Sequence, residues 1–167
     1  RSGGSPPNPR VLFSAHGLPK RVVERGDPYQ WQVEQTAAAV KRALPPEWDT
    51  RICYQSRVGP LAWLGPSTEA EIENAARDLT GVIVTPIAFV SEHVETLVEL
   101  DIEYAQLASE RGAPFYLRAP ALGVAPRFID ALADLVERAM QAPGKVRSES
   151  GGRICPVEFG LCAQREV

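Results

Sequence analysis

Short apolar runs that fit buried strands alternate along the chain with stretches of helical periodicity, the pattern of an α/β layer fold. Val11-Leu12-Phe13 is a buried run that stops at Ser14-Ala15-His16-Gly17. Residues 30–44 carry a helical spacing rich in Ala and Gln, closed by Pro45-Pro46. Arg51-Ile52-Cys53-Tyr54 predicts a second strand, followed by a loop through Gly59-Pro60 and Gly65-Pro66. Ser67 or Thr68 can cap a helix that runs to about Leu79, with Glu71 placed to complete a capping box with Thr68. Gly81-Val82-Ile83-Val84-Thr85-Pro86-Ile87 is the strongest strand, β-branched and apolar on both faces as a central parallel strand should be. A helix over 91–111, a strand over 114–118 and an amphipathic helix over 126–140 follow. The pattern predicts a Rossmann-like lobe with a four-stranded parallel sheet flanked by helices.

Around that lobe, residues 1–9 are Gly, Ser, Pro and Asn-rich and read as a disordered leader. Residues 10–140 form the lobe, and 141–167 form a polar extension that carries Cys155 and Cys162. The length, 167 residues, suits one domain or one lobe of a larger enzyme. No uninterrupted apolar run reaches the ~18 residues of a membrane-spanning helix. The N-terminal stretch lacks the apolar core of a secretory signal. A net charge of −3 argues against nucleic acid as a partner. Three cysteines, Cys53, Cys155 and Cys162, are too few and too scattered for a disulfide scaffold and suit a reducing cytoplasm.

Candidate chemistry gathers after two strands. The chain has two histidines, His16 and His93, each just past a predicted strand end. Ligands of open parallel sheets bind outside the carboxyl ends of the strands, so the two can share one crevice. The alternative is a pair of hydrogen-bonded, partly buried imidazoles without chemistry. Glu92, Glu95, Glu99 and Glu103 stand three, four and four residues apart, which on an α-helix stacks four carboxylates on one face. Such like-charge pairs destabilise an isolated helix by roughly 0.2–0.5 kcal/mol each. A solvated face would account for them. Against that, Leu97, Val98, Leu100 and Ile102 lie between the acids, and no Lys or Arg occurs between Arg77 and Arg111. Carboxylates without cations either titrate upward or hold a metal. With an imidazole nearby, the oxygen donors suit Fe²⁺ or Mn²⁺. The loop over 55–66 adds Arg57 and Trp63 to an apolar surface that can wall a flat ligand with a carboxylate rim, or simply pack on its own domain.

Phe13-Ser14-Ala15-His16-Gly17-Leu18-Pro19, Gly26-Asp27-Pro28-Tyr29, Tyr54-Gln55-Ser56-Arg57-Val58-Gly59-Pro60, Trp63-Leu64-Gly65-Pro66 and Pro86-Ile87-Ala88-Phe89-Val90-Ser91-Glu92-His93-Val94-Glu95-Thr96-Leu97 resemble the motifs of the ferrochelatases in order and spacing. So do Glu99-Leu100-Asp101-Ile102-Glu103-Tyr104 and Ala131-Leu132-Ala133-Asp134-Leu135. The resemblance covers residues 10–140 and corresponds to the C-terminal half of that family. It implies a lyase of heme biosynthesis that inserts Fe²⁺ into protoporphyrin IX in a cleft between two Rossmann-like lobes. His16 matches the histidine that serves as metal ligand and proton acceptor, and Glu95 the carboxylate facing it. His93, with Glu92, matches the polar pair beside them. Glu92, Glu99 and Glu103 form the acidic line proposed for iron or proton passage. Gln55, Ser56, Arg57 and Trp63 match the porphyrin-binding wall, and Asp134 an acid in an ordinary helix position. Metalation removes two pyrrole N–H protons and delivers a desolvated divalent metal, work suited to an imidazole and carboxylates.

Two departures shape the expectation. The N-terminal lobe, which supplies the other porphyrin wall, is absent, so this chain alone should show little or no chelatase activity. Some members hold a [2Fe–2S] cluster on C-terminal cysteines; a cluster wants four thiolates, so none is expected here and no cofactor beyond the Fe²⁺ substrate. The implied location is the cytoplasm, with peripheral contact to the inner membrane through the apolar lip at 61–64. The alternatives are a related class II chelatase with another metal or tetrapyrrole, and a non-catalytic or truncated tetrapyrrole- or metal-binding lobe.

Overall fold

The computed structural model describes residues 8–141, 148 and 150–164; most of the expected leader and part of the extension lie outside these. Four strands, β1 (Arg10–His16), β2 (Asp49–Gln55), β3 (Val82–Pro86) and β4 (Tyr116–Arg118), form one sheet in the order β2-β1-β3-β4. All pairings are parallel, with His16 opposite Gln55 and Ser14 opposite Pro86. This is the expected parallel α/β sheet. Every residue of β1 from Arg10 to Ala15 is buried, because strands flank it on both sides and helices cover both faces. In β2, at the edge, burial is confined to the carboxyl half.

The helices are α1 (Lys20–Glu24), α2 (Tyr29–Lys41), α3 (Thr68–Arg77), α4 (Tyr104–Glu110) and α5 (Pro126–Gln141). One face of the sheet packs Leu12, Cys53, Val82 and Val84 against Ile72 and Ala75 of α3 and Tyr104 and Ala108 of α4. The other packs Val11 and Phe13 against Ala37 of α2. The chain leaves β1 for β2 on one side and returns to β3 on the other. The topological switch therefore lies between β1 and β3, where parallel sheets open a crevice at the strands' carboxyl ends.

Four local expectations are corrected. The helix predicted over 91–111 instead begins at Glu95 and opens as a π-helix, Glu95–Glu103, that passes into α4. The capping box on Thr68 does not form. Ser67 is the N-cap and accepts from the Ala70 N–H, while the Thr68 side chain is fully buried and Glu71 accepts from Asn74. The amphipathic α5 is present, yet none of its residues is buried on this lobe. Finally, Cys155 and Cys162, not expected to pair, are joined in a disulfide. Arg153 donates to the carbonyls of Cys155, Pro156 and Phe159 within the same curl of the tail. The curl docks where the Leu161 N–H meets the Gly26 carbonyl at 3.0 Å. Gly26 has φ +97°, and a Cβ there would lie 2.8 Å from the Gly160 nitrogen, so the docking requires glycine.

Ile72 is the largest wholly buried residue that α3 presents to the core. Ile72→Ala should lower stability by about 2–5 kcal/mol, read by denaturant unfolding as a lower midpoint with an unchanged slope.

Candidate functional site

His16 ends β1 at the switch point. Its Nδ1 lies 2.7 Å from the Gly17 carbonyl oxygen. A carbonyl only accepts, so the ring proton belongs on Nδ1 and the Nε2 lone pair faces outward. Nε2 is 3.5 Å from Glu95 Oε2, and both side chains are 42% exposed. The Tyr29 hydroxyl donates to the His16 carbonyl at 2.8 Å, and the Gly17 N–H donates to the Gln55 carbonyl at 2.7 Å. Gly17 is needed for that approach, since a Cβ would sit 2.8 Å from the same carbonyl oxygen.

Phe89 stands between the histidines, its ring centroid 6.2 Å from that of His16 and 5.0 Å from that of His93. His93 is exposed, and its backbone is closed into a turn by Thr96, whose buried hydroxyl accepts from the His93 N–H and donates to the His93 carbonyl. That turn launches the π-helix, a form that recurs at functional sites.

The acidic line divides. Glu95 faces His16. Glu99 turns inward, its Oε2 accepting from Gln55 Nε2 at 3.0 Å and Ser56 Oγ at 2.7 Å. Glu103 is exposed at the far end. Glu92 points away to Arg118, which donates to it at 2.5 Å and to both carboxylate oxygens of Asp101 at 2.6 Å. The cation missing from the segment's own sequence is thus supplied by β4. Partial burial pushes the Glu92 carboxyl upward, but the Arg118 guanidinium and the Ala121 N–H outweigh it and hold it below the usual carboxylate range. Among the described residues no three His, Cys, Asp or Glu side chains converge as a metal cluster, so His16 and Glu95 stand as a pair. The Cys53 thiol is buried and pushed up to about 12 by desolvation, which suppresses the thiolate a metal would need.

Of the expected porphyrin wall, Gln55 is fully buried and Ser56 nearly so, and both turn to Glu99. They support the site from beneath, because the π-helix carboxylate lies over them. Arg57 is exposed and, with Trp63, Lys20, Val23 and Leu64, lines a cleft of about 590 Å³. The Trp63 indole N–H is buried without a hydrogen-bond partner among the described residues. In the apolar lip Leu64 belongs to the core, while Leu61 is exposed. Phe89, Tyr29 and Thr96 all lie inside the ferrochelatase-like motifs, but nothing in their residue type or spacing marks them as site residues. Arg118 had no local signal.

A family model described as ferrochelatase matches residues 2–140. The chain is 60% identical over 164 residues to the ferrochelatase of Caulobacter vibrioides (strain NA1000 / CB15N), covering 98% of this chain and 47% of that protein. The chain belongs to the ferrochelatase family. The family's Phenylobacterium zucineum ferrochelatase is 56% identical over 162 residues, covering 97% of this chain and 47% of the relative. A Rickettsia conorii ferrochelatase is 48% identical over 158 residues, covering 93% and 46%. The chain therefore spans about half the length of these ferrochelatases. Among solved structures, a putative cobalamin (vitamin B12) biosynthesis CbiX protein from Marinobacter aquaeolei VT8 superposes with TM-score 0.58 at 17% identity, over 79% of this chain and 97% of that one. That likeness shows the fold, a chelatase-type Rossmann-like lobe.

The Glu92–Arg118 pair gives a pH signature. Its folded carboxyl lies below the ordinary value, so the contribution to stability is fully present above the unfolded pKa of about 4.3 and is lost as pH falls through the folded value. Arg118→Gln should therefore flatten the loss of stability between roughly pH 5 and pH 3, read by thermal unfolding beside the parent chain.

Proposed function

We propose that this chain is the metal-facing lobe of a ferrochelatase that inserts Fe²⁺ into protoporphyrin IX. The observation that carries the reading is the exposed imidazole Nε2 of His16 opposite the Glu95 carboxylate across 3.5 Å. In the reaction, the porphyrin loses two pyrrole N–H protons as its nitrogens take up the metal. The neutral imidazole accepts one of these protons at Nε2, the other passing to water in the open cleft, and the resulting imidazolium is stabilised by the Glu95 carboxylate. Glu95 and Nε2 can also hold Fe²⁺ as it sheds water. Two protein donors are too few for a resident metal site, and that suits a cargo metal whose remaining ligands are the porphyrin nitrogens. Exposed Arg57 is the counter-charge for a carboxylate on the macrocycle's rim.

The other wall of the cleft belongs to a second lobe, which α5 is shaped to meet. Phe128, Ile129, Leu132, Leu135, Val136 and Met140 recur at helical spacing, and Ile129, Leu132 and Leu135 are 44%, 42% and 44% exposed. A stripe of four turns left open to water marks an interface. The helix's polar residues include Asp130, Asp134 and Glu137 against Arg127 and Arg138, a balance unlike the Lys/Arg-rich face of a membrane-surface helix.

The test is anaerobic metalation of protoporphyrin IX by this chain, alone and mixed with the N-terminal half of the Caulobacter vibrioides relative. The expected result is little turnover alone and turnover in the mixture. In the mixture, His16→Ala or Glu95→Gln should reduce the rate by about 10²–10⁴-fold; either variant at parental rate refutes the assignment of that residue. Leu132→Glu with Leu135→Glu should abolish the gain from mixing while leaving the chain's circular dichroism unchanged.

A further inference from the structure

We infer that Ser14 and Thr68, which face no solvent and touch no part of the open site, are positioning residues that act through Gln55 to hold Glu99 and the π-helix in place beside His16. The inference rests on the reading of His16 and Glu95 as the metal-facing pair. Ser14, Gln55 and Thr68 are each 0% exposed. The Ser14 hydroxyl donates to Gln55 Oε1 at 2.8 Å, which leaves its oxygen to receive the Thr68 hydroxyl proton across 3.0 Å. Thr68 also donates to the Cys53 sulphur at 3.3 Å, so its one proton is shared between the Ser14 oxygen and the sulphur. On its other side the Gln55 amide donates to Glu99 Oε2 at 3.0 Å and to the backbone carbonyl of Glu95 at 3.4 Å.

The direction of this chain is forced. Turning the amide over would set its oxygen against a carboxylate and a carbonyl, two acceptor–acceptor contacts in a buried setting, and would aim its N–H groups at Ser14. Ser14 gives its one proton to the Gln55 oxygen, which only accepts, and its own oxygen is met by the Thr68 hydroxyl. The same amide thereby grips the first residue of the π-helix, the one whose side chain faces His16. Ser56 completes the grip: its backbone sits at φ +57°, an uncommon conformation for a non-glycine residue, and its hydroxyl donates to Glu99 at 2.7 Å. Partners placed one step behind a metal ligand typically change affinity by about 10–100-fold when removed.

The test uses the ¹⁵N-labelled chain and two readouts. The Gln55 side-chain NH₂ signals report the clamp without any ligand. Anaerobic Fe²⁺ titration, followed by broadening of the His16 ring signals, reports the site. Ser14→Ala and Thr68→Val should each shift the Gln55 signals and weaken Fe²⁺ binding by about tenfold, while Thr68→Ser, which keeps the hydroxyl, should match the parent. In a Gln55→Ala background Ser14→Ala should have no further effect on Fe²⁺ binding, since the relay is already cut. Additive effects in that background, or shifted Gln55 signals with parental Fe²⁺ affinity, overturn the inference. If His16→Ala and Glu95→Gln bind Fe²⁺ as the parent does, the reading of the site itself has failed. The clamp then stands or falls on the Gln55 signals, and unchanged signals in Ser14→Ala and Thr68→Val overturn it. Should Thr68→Val fail to fold, Ser14→Ala and the Gln55→Ala background carry the same comparison.

Discussion

A carboxamide with no access to water must place its carbonyl oxygen and both N–H groups on partners, and Gln55 does so on two other elements. Its oxygen takes the Ser14 hydroxyl of β1, and its nitrogen reaches the side chain of Glu99 and the backbone of Glu95. Each unmet bond at such a buried group would cost about 1–3 kcal/mol, so strand ends and π-helix cannot drift apart independently. The backbone of the same residue accepts from Gly17, next to His16. One residue at the end of an edge strand thus ties together the imidazole's turn and the helix that carries the facing carboxylate.

The electrostatics divide along this tie. Glu92 and Asp101 are neutralised by Arg118 at the outer side, a bidentate and a single contact at 2.5–2.6 Å. Among the described residues, the Glu99 carboxylate has uncharged donors and the Glu95 carboxylate faces an imidazole. The helix therefore presents negative charge to the His16 side and a compensated surface to the β4 side. In the proposed reaction this asymmetry favours a cation, whether Fe²⁺ arriving or an imidazolium forming, in the one place where it faces the switch point.

The parts of the molecule legible in the sequence are those set by local pattern. Val82, Val84 and their neighbours could only be a buried strand, and the Ala-rich helix before Pro45 could only stop there. The position of His16 followed from the same logic, because a strand that ends in a polar turn exposes its next side chain at the sheet's carboxyl edge. What escaped were consequences of distance in the chain. The link between Glu92 and Arg118 spans 26 residues, and that between Gln55 and Glu99 spans 44. Neither leaves a trace in periodicity. The 3-4-4 spacing of the acids suggests one face of an α-helix, but a π-helix turns less per residue, and Glu92 lies before the helix begins. Glu92 consequently swings out of a line to which its spacing assigned it.

The cap at α3 shows how tertiary demand overrides a local signature. Thr68 and Glu71 match a capping box in spacing, yet Ser67 takes the cap position. Thr68 then lies one place into the helix, where its hydroxyl points down on β1 and meets Ser14. Had Thr68 capped the helix, its hydroxyl would accept from a backbone N–H at the surface, and Ser14 would lose its buried partner. The limit is one of place: a side chain at the surface cap position cannot also lie beneath the helix against β1. The buried contact with Ser14, beside an amide that must not turn over, holds Thr68 inside the helix and leaves the cap to Ser67.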